Sequence, residues 1–140
     1  MMAKAVAEGV KTIQGVDVEV LKLGKPFSLS SLVEANAIII GSPTIYGSVT
    51  PKMKAFLDSI QELKEHMNLS GKVGGVFGSY QWDREGAINR LSSYLERLDI
   101  HIVTAPVTLE HALHEETQMD DDAIRKCFEL GRAVAEHCQS

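Results

Sequence analysis

Hydrophobic and polar positions along this chain switch repeatedly between two periods. Ala3, Val6, Ala7, Val10 and Ile13 recur at helical spacing and stop at Gly15. Val16-Asp17-Val18-Glu19-Val20-Leu21 alternates with period two, which predicts a strand with one polar face, at a sheet edge. Pro26 breaks the chain, and Ser28 can cap a short helix carrying Leu29, Leu32 and Val33. Ala37-Ile38-Ile39-Ile40 is continuously apolar, the pattern of a central strand covered on both faces. After a loop over Gly41–Val49, Thr50 as N-cap and Pro51 as first helical residue open a helix with Met53, Phe56, Leu57 and Ile60 inward. Lys72–Phe77 predicts a second buried strand, whose Gly74 and Gly75 imply a closely packed neighbour. A loop from Gly78 leads to a helix with Ala87, Ile88, Leu91, Leu95 and Leu98 on one face. His101–Val107 is the last predicted strand, and a final helix starts at Asp120, with Asp121 and Asp122 in its first turn.

Five helices thus alternate with four strands, an α/β layer architecture of the doubly wound, parallel-sheet kind. Such a sheet normally begins with a strand, and this chain begins with a helix. The expected fold is therefore one truncated at its N-terminus, four strands recognisable and the first missing, in a single domain over 1–140.

Composition narrows the class. The 140 residues are 44% hydrophobic and 24% charged, an ordinary globular balance. A net charge of −5 leaves no general attraction for nucleic acid or anionic lipid. No apolar stretch approaches a membrane span and no signal-peptide pattern opens the chain, so a cytoplasmic protein is expected. Cys127 and Cys138 fall in one helix about 16 Å apart by rise, beyond the ~7 Å reach of a disulfide. Free thiols agree with a reducing compartment.

Candidate chemistry lies where two segments leave strands at the carboxyl edge, the place where open parallel sheets bind ligands. One runs from Gly41 to Pro51 and the other from Gly78 to Gly86. Both combine glycine, hydroxyls and large rings, which suits a flat aromatic ligand: rings for walls, amides for hydrogen bonds, glycine for close approach. His111 and His114 with Glu110, Glu115 and Glu116 invite a metal reading, but a solvated loop explains them better. Asp120-Asp121-Asp122 lacks the spacing of a calcium loop, and helix capping accounts for it. No metal ligands and no catalytic side chains are assigned.

Gly41-Ser42-Pro43-Thr44-Ile45-Tyr46-Gly47 and Gly78-Ser79-Tyr80-Gln81-Trp82 resemble the flavin loops of the flavodoxin-like family, most closely the C-terminal flavodoxin module of flavodiiron proteins. The resemblance covers essentially the whole chain; Gln81 stands where that group more usually has glycine. It implies FMN as cofactor, held by Ser42, Pro43, Thr44, Ile45, Tyr46 and Gly47 on one side and by Gly78, Ser79, Tyr80, Gln81 and Trp82 on the other. Tyr80 and Trp82 are the rings expected to stack on the flavin. The Tyr46-Gly47 peptide is expected to turn its carbonyl toward flavin N5 on reduction.

The family's first strand is followed by a Ser/Thr-rich loop that cradles the FMN phosphate, and Met2–Gly9 looks like the helix just after that loop. Without the loop, a few charged hydrogen bonds of roughly 1.5–3 kcal/mol each are lost, on the order of 5 kcal/mol in total. At about 1.4 kcal/mol per decade, a nanomolar site becomes micromolar or weaker. The resemblance thus implies an electron-transfer module with impaired flavin binding, exchanging electrons with a reductase or acceptor protein. Its alternatives are a degenerate, non-enzymatic interaction domain or a fragment of a larger flavodiiron-type oxidoreductase. The open edge at Ala37–Ile40 makes a homo-oligomer the expected state.

Overall fold

The computed structural model describes residues 2–23, 30–43, 49–63, 68–80, 86–110 and 121–139. Within them lie α1 (Met2–Lys11), α2 (Ser30–Glu34), β1 (Ala37–Pro43), α3 (Pro51–Leu63), β2 (Val73–Tyr80), α4 (Gly86–Arg97), β3 (His101–Ile102), β4 (Val107–Glu110) and α5 (Asp121–Gln139). All ladders are parallel: β1 pairs with β2, and both β3 and β4 pair with the other side of β2. This is the expected doubly wound α/β class.

Strand alternation sorts the core into two layers. On one face Ile38, Ile40 and Val76 pack with Met53, Leu57 and Ile60 of α3 and Ala87, Ile88, Leu91 and Leu95 of α4. On the other, Ala37, Ile39, Val73 and Phe77 meet Ala5 and Val6 of α1 and Cys127, Leu130 and Val134 of α5. The helical stripes legible in sequence are these buried faces.

The glycines of β2 are needed because both layers press on it. A Cβ on Gly74 would lie 2.8 Å from Ile100 Cγ2, and one on Gly75 would lie 3.0 Å from Val134 Cγ2. Gly15, where the α1 pattern stops, has φ 82°, a left-handed conformation that glycine adopts without strain. Lys72 Nζ donates to the carbonyls of Val33 (2.7 Å) and Ala35, placing a cation at the C-terminal end of α2.

Three strand expectations change. Val16–Leu21 forms no ladder with any described strand. Val16, Val18 and Leu21 are half-buried and Asp17 and Glu19 exposed, but Val20 is 58% exposed, so the alternation holds in burial only as far as Glu19. Alternation records which side chains face a core, whereas a strand also needs a hydrogen-bonding neighbour. The predicted His101–Val107 strand is two pieces. Gly74 pairs with Ile102 and Phe77 with Val107, so the outer strand carries two residues more than β2 between the pairs. Pro106, which has no N–H to give the ladder, lies in that bulge. Finally, β1 and β2 run past their predicted ends to Pro43 and Tyr80.

Ser28, Leu29, His111, His114, Glu115, Glu116 and Asp120 lie outside the described residues. Cys127 and Cys138 are free thiols; burial raises the pKa of both.

Candidate functional site

The extension of β1 and β2 defines the site's floor. Gly41 pairs with Phe77, Ser42 with Gly78 and Pro43 with Ser79, so the two parallel strands end side by side at the same level. Tyr80, one residue further, pairs with Glu110 at the end of β4. The chain therefore leaves β1 and β2 at neighbouring points of the carboxyl edge, and both outgoing segments turn into helices, α3 and α4.

Of the expected flavin-contacting residues, Ser42, Pro43, Gly78, Ser79 and Tyr80 lie among the described ones. Thr44, Ile45, Tyr46, Gly47, Gln81 and Trp82 lie outside them. Ser42 is buried, and its Oγ accepts the Thr50 N–H at 3.2 Å, tying the strand end to the start of α3 across the first loop. Thr50 is the N-cap expected from sequence: its Oγ1 accepts the Met53 N–H at 3.2 Å. A Cβ on Gly78 would lie 2.5 Å from the Ser42 carbonyl oxygen and 3.4 Å from Ile88 Cδ1, so this position has no room for a side chain. Gly41 would likewise drive a Cβ into the Phe77 ring, at 2.1 Å from Cε2. Ser79 and Tyr80 are half-buried.

One cluster between α3 and α4 was not foreseen. Tyr94 Oη of α4 donates to Asp58 Oδ1 of α3 at 2.6 Å, while Lys54 Nζ contacts Asp58 Oδ2 at 2.9 Å. The hydrogen bond from Tyr94, then that from Lys54, holds the Asp58 carboxyl below the usual carboxylate range. The same bond to Asp58, followed by burial, raises the Tyr94 phenol, and Arg97 lies 5.4 Å above the Tyr94 ring. The i, i+4 spacing of Lys54 and Asp58 was visible in sequence; Tyr94, 36 residues from Asp58, carried no local signal.

Among the described residues, a buried Ser42 hydroxyl lies at the end of β1, a half-buried Tyr80 ring at the end of β2, and Gly78 leaves open the space that a Cβ would take beside the Ser42 carbonyl. A ring and strand-end amides are chemistry that a flat flavin can use. The second ring expected at the site, Trp82, is outside the described residues. Among the described residues no group of three or more His, Cys, Asp or Glu could hold a metal ion.

A parallel sheet between helix layers, with paired loops at adjoining carboxyl ends, defines a flavodoxin-like fold. The sequence model of the NADPH-dependent FMN reductase family matches residues 1–114, and the chain belongs to that family. It is a flavin-associated redox module, and FMN is the flavin to which the family and fold point.

Among curated relatives, an NAD(P)H dehydrogenase (quinone) of Trichlorobacter lovleyi is 31% identical over 138 residues, covering 80% of this chain and 68% of the relative. The anaerobic nitric oxide reductase flavorubredoxin of Aliivibrio salmonicida is 31% identical over 139 residues, 96% of this chain but only 26% of that protein. A solved flavodoxin from the domain Archaea superposes with a TM-score of 0.84 at 29% identity, covering 99% of this chain and 89% of that one. No described helix is long and apolar enough to cross a membrane.

Proposed function

We propose that the chain is an electron-transfer module that holds FMN between the loops leaving β1 and β2. Ser42, Pro43, Thr44, Ile45, Tyr46 and Gly47 would line one side of the ring, and Gly78, Ser79, Tyr80, Gln81 and Trp82 the other. Two parallel strand ends in register at Pro43 and Ser79 carry this reading, because they bring both loops to one place. When bound, FMN supplies one- or two-electron chemistry. The protein's part is to orient the ring, exclude water from one face and set the polarity around it. Ser42 contributes indirectly, by fixing the first loop to Thr50.

A reductase or an acceptor protein in the cytoplasm is the proposed partner, and self-association the proposed state. Weak FMN binding by the 140-residue polypeptide is part of this proposal. FMN titration followed by quenching of flavin fluorescence tests the site. Tyr80→Ala and Trp82→Ala should each weaken binding and reduce the quenching, because stacking area is lost. If both variants titrate like the parent, the ring lies elsewhere. One equivalent of FMN retained after prolonged dialysis would show that binding is not impaired.

A further inference from the structure

Along a strand the backbone alternates between its two neighbours: one residue points its N–H and C=O to one side, and the next residue to the other. On β2 both sides are filled. Gly74 accepts from the Val103 N–H at 3.2 Å toward β3, and Val73 donates to the Asn36 carbonyl at 3.4 Å toward β1. On β1 only one side is filled. Because Asn36 faces β2, Ile38 and Ile40 do too, and Ala37, Ile39 and Gly41 turn their N–H and C=O groups to the outer edge. No described strand pairs with that edge, and no backbone hydrogen bond between described residues engages those groups. All three residues are half-buried.

The opposite edge carries features that keep a sheet from adding strands. It is broken into the short β3 and β4, with a bulge and Pro106 between Ile102 and Val107. The β1 edge lacks them. This strand is seven residues long, has no charged side chain, and keeps unbroken register from Ala37 opposite Val73 to Pro43 opposite Ser79. Its single proline stands at its end. Its side chains enter both apolar layers, Ile38 and Ile40 in one, Ala37 and Ile39 in the other. A strand laid beside β1 would continue both layers and so would be apolar on both faces.

We propose that the free edge of β1 is a binding site for an extended, uncharged, Val/Ile-rich segment of another protein, which joins the sheet as an additional strand. Ala37, Ile39 and Gly41 supply donors and acceptors for the new ladder. Main-chain bonds then give affinity, and the two apolar layers select the side chains. Pairing also completes half-buried amides and carbonyls, groups that are costly to leave unbonded away from water. A second copy would bring its own helix layers against these, whereas a single extended segment brings none. Self-association, proposed above, uses the same open edge, and the incoming segment displaces the second copy.

The test titrates a fluorescein-labelled synthetic peptide into the 140-residue chain and follows anisotropy. The peptide alternates valine and isoleucine between a lysine–glutamate pair at each end, so its side chains carry no net charge. An analogue N-methylated throughout its apolar core keeps the greasy surface but has no amide donors there. The parent peptide should bind saturably and the analogue about tenfold more weakly or worse. Amide hydrogen exchange locates the contact. With peptide bound, the Ala37, Ile39 and Gly41 amides should slow about tenfold or more, whereas Ile38 and Ile40, already in the β2 ladder, should change less than about twofold. Absence of binding, equal affinity for the analogue, or unchanged exchange at Ala37, Ile39 and Gly41 would each overturn the proposal. Sedimentation of the same samples separates the occupants. An oligomer that dissociates as peptide binds supports the strand site, and a monomer that binds peptide supports it while refuting self-association. An oligomer that excludes the peptide gives the edge to a second copy and overturns the proposal.

Discussion

Gly131 in α5 and Gly9 in α1 set opposite expectations for replacement by alanine, depending on whether one reads propensity or packing. On propensity alone, Gly→Ala inside a helix gains about 1 kcal/mol. The structure reverses the sign. A Cβ on Gly131 would lie 1.9 Å from the Val6 carbonyl oxygen, and one on Gly9 would lie 1.9 Å from that of Phe128. The obstructing atoms are backbone, so no rotamer change relieves them. Reaching ordinary contact at 3.4 Å requires the helices to part by about 1.5 Å. A gap of 0.5–1 Å already forfeits roughly a quarter to a half of the dispersion energy of the atoms lining it. Here those atoms are Ala5, Val6, Cys127, Leu130 and Val134. Overpacking costs typically 1–3 kcal/mol and occasionally more; because backbone must move here, a cost at or above the top of that range outweighs the ~1 kcal/mol propensity gain, and the net loss for Gly131→Ala is about 2 kcal/mol. Urea unfolding followed by circular dichroism measures it. With m of about 1–3 kcal/mol per M, the midpoint should fall by about 1 M or more. A midpoint equal to or above the parent's would refute the close helix contact.

Other expectations follow from single bonds. Thr50→Ala removes the N-cap of α3 and should cost about 1 kcal/mol in the same urea assay. Ser42→Ala leaves the Thr50 N–H without that acceptor, at about 1–3 kcal/mol, and should weaken FMN binding by loosening the first loop. Asp58 is depressed in the folded state, first by Tyr94 and then by Lys54, so its contribution is present above the unfolded carboxylate pKa and lost as pH falls through the folded one. Tyr94→Phe should therefore flatten the acid limb of stability against pH. Because the Tyr94 phenol is raised, its contribution is full below the unfolded tyrosine pKa and lost as pH climbs through the folded value. The same variant should lose that alkaline limb, and urea midpoints across pH read both.

The helices were legible because a buried stripe is local information: Leu57, Leu91 and Leu95 are at most 2% exposed, and each stands in a run with the helical period. The start of α3 was equally plain, since Thr50 and Pro51 are chemical signals for an N-terminus. Val16–Leu21 misled because its alternation speaks of faces and is silent about ladders. The last strand misled because a bulge is fixed by the partner's register, which Pro106 hints at without locating. At the site, sequence marked both loops. It placed Ser42, Ser79 and Tyr80 in loops, although pairing with β2 and β4 keeps them within strands. The Asp58–Tyr94 bond was invisible, because only the folded helix pair brings the two together.

The Gly9–Gly131 crossing also sets a timetable for synthesis. The two glycines are 122 positions apart, so α1 emerges from a ribosome long before α5, the helix that covers it. At about 5–20 residues per second that interval is roughly 6–24 s. Throughout it Val6 and Val10, buried in the finished protein, have no α5 to lie against. The face of the sheet that carries Ile39 and Phe77 waits equally long for Leu130 and Val134. The α3–α4 layer can close first, because β1, α3, β2 and α4 follow one another directly in the chain. Folding during translation thus proceeds from the middle outward, with one apolar face open until the last helix arrives.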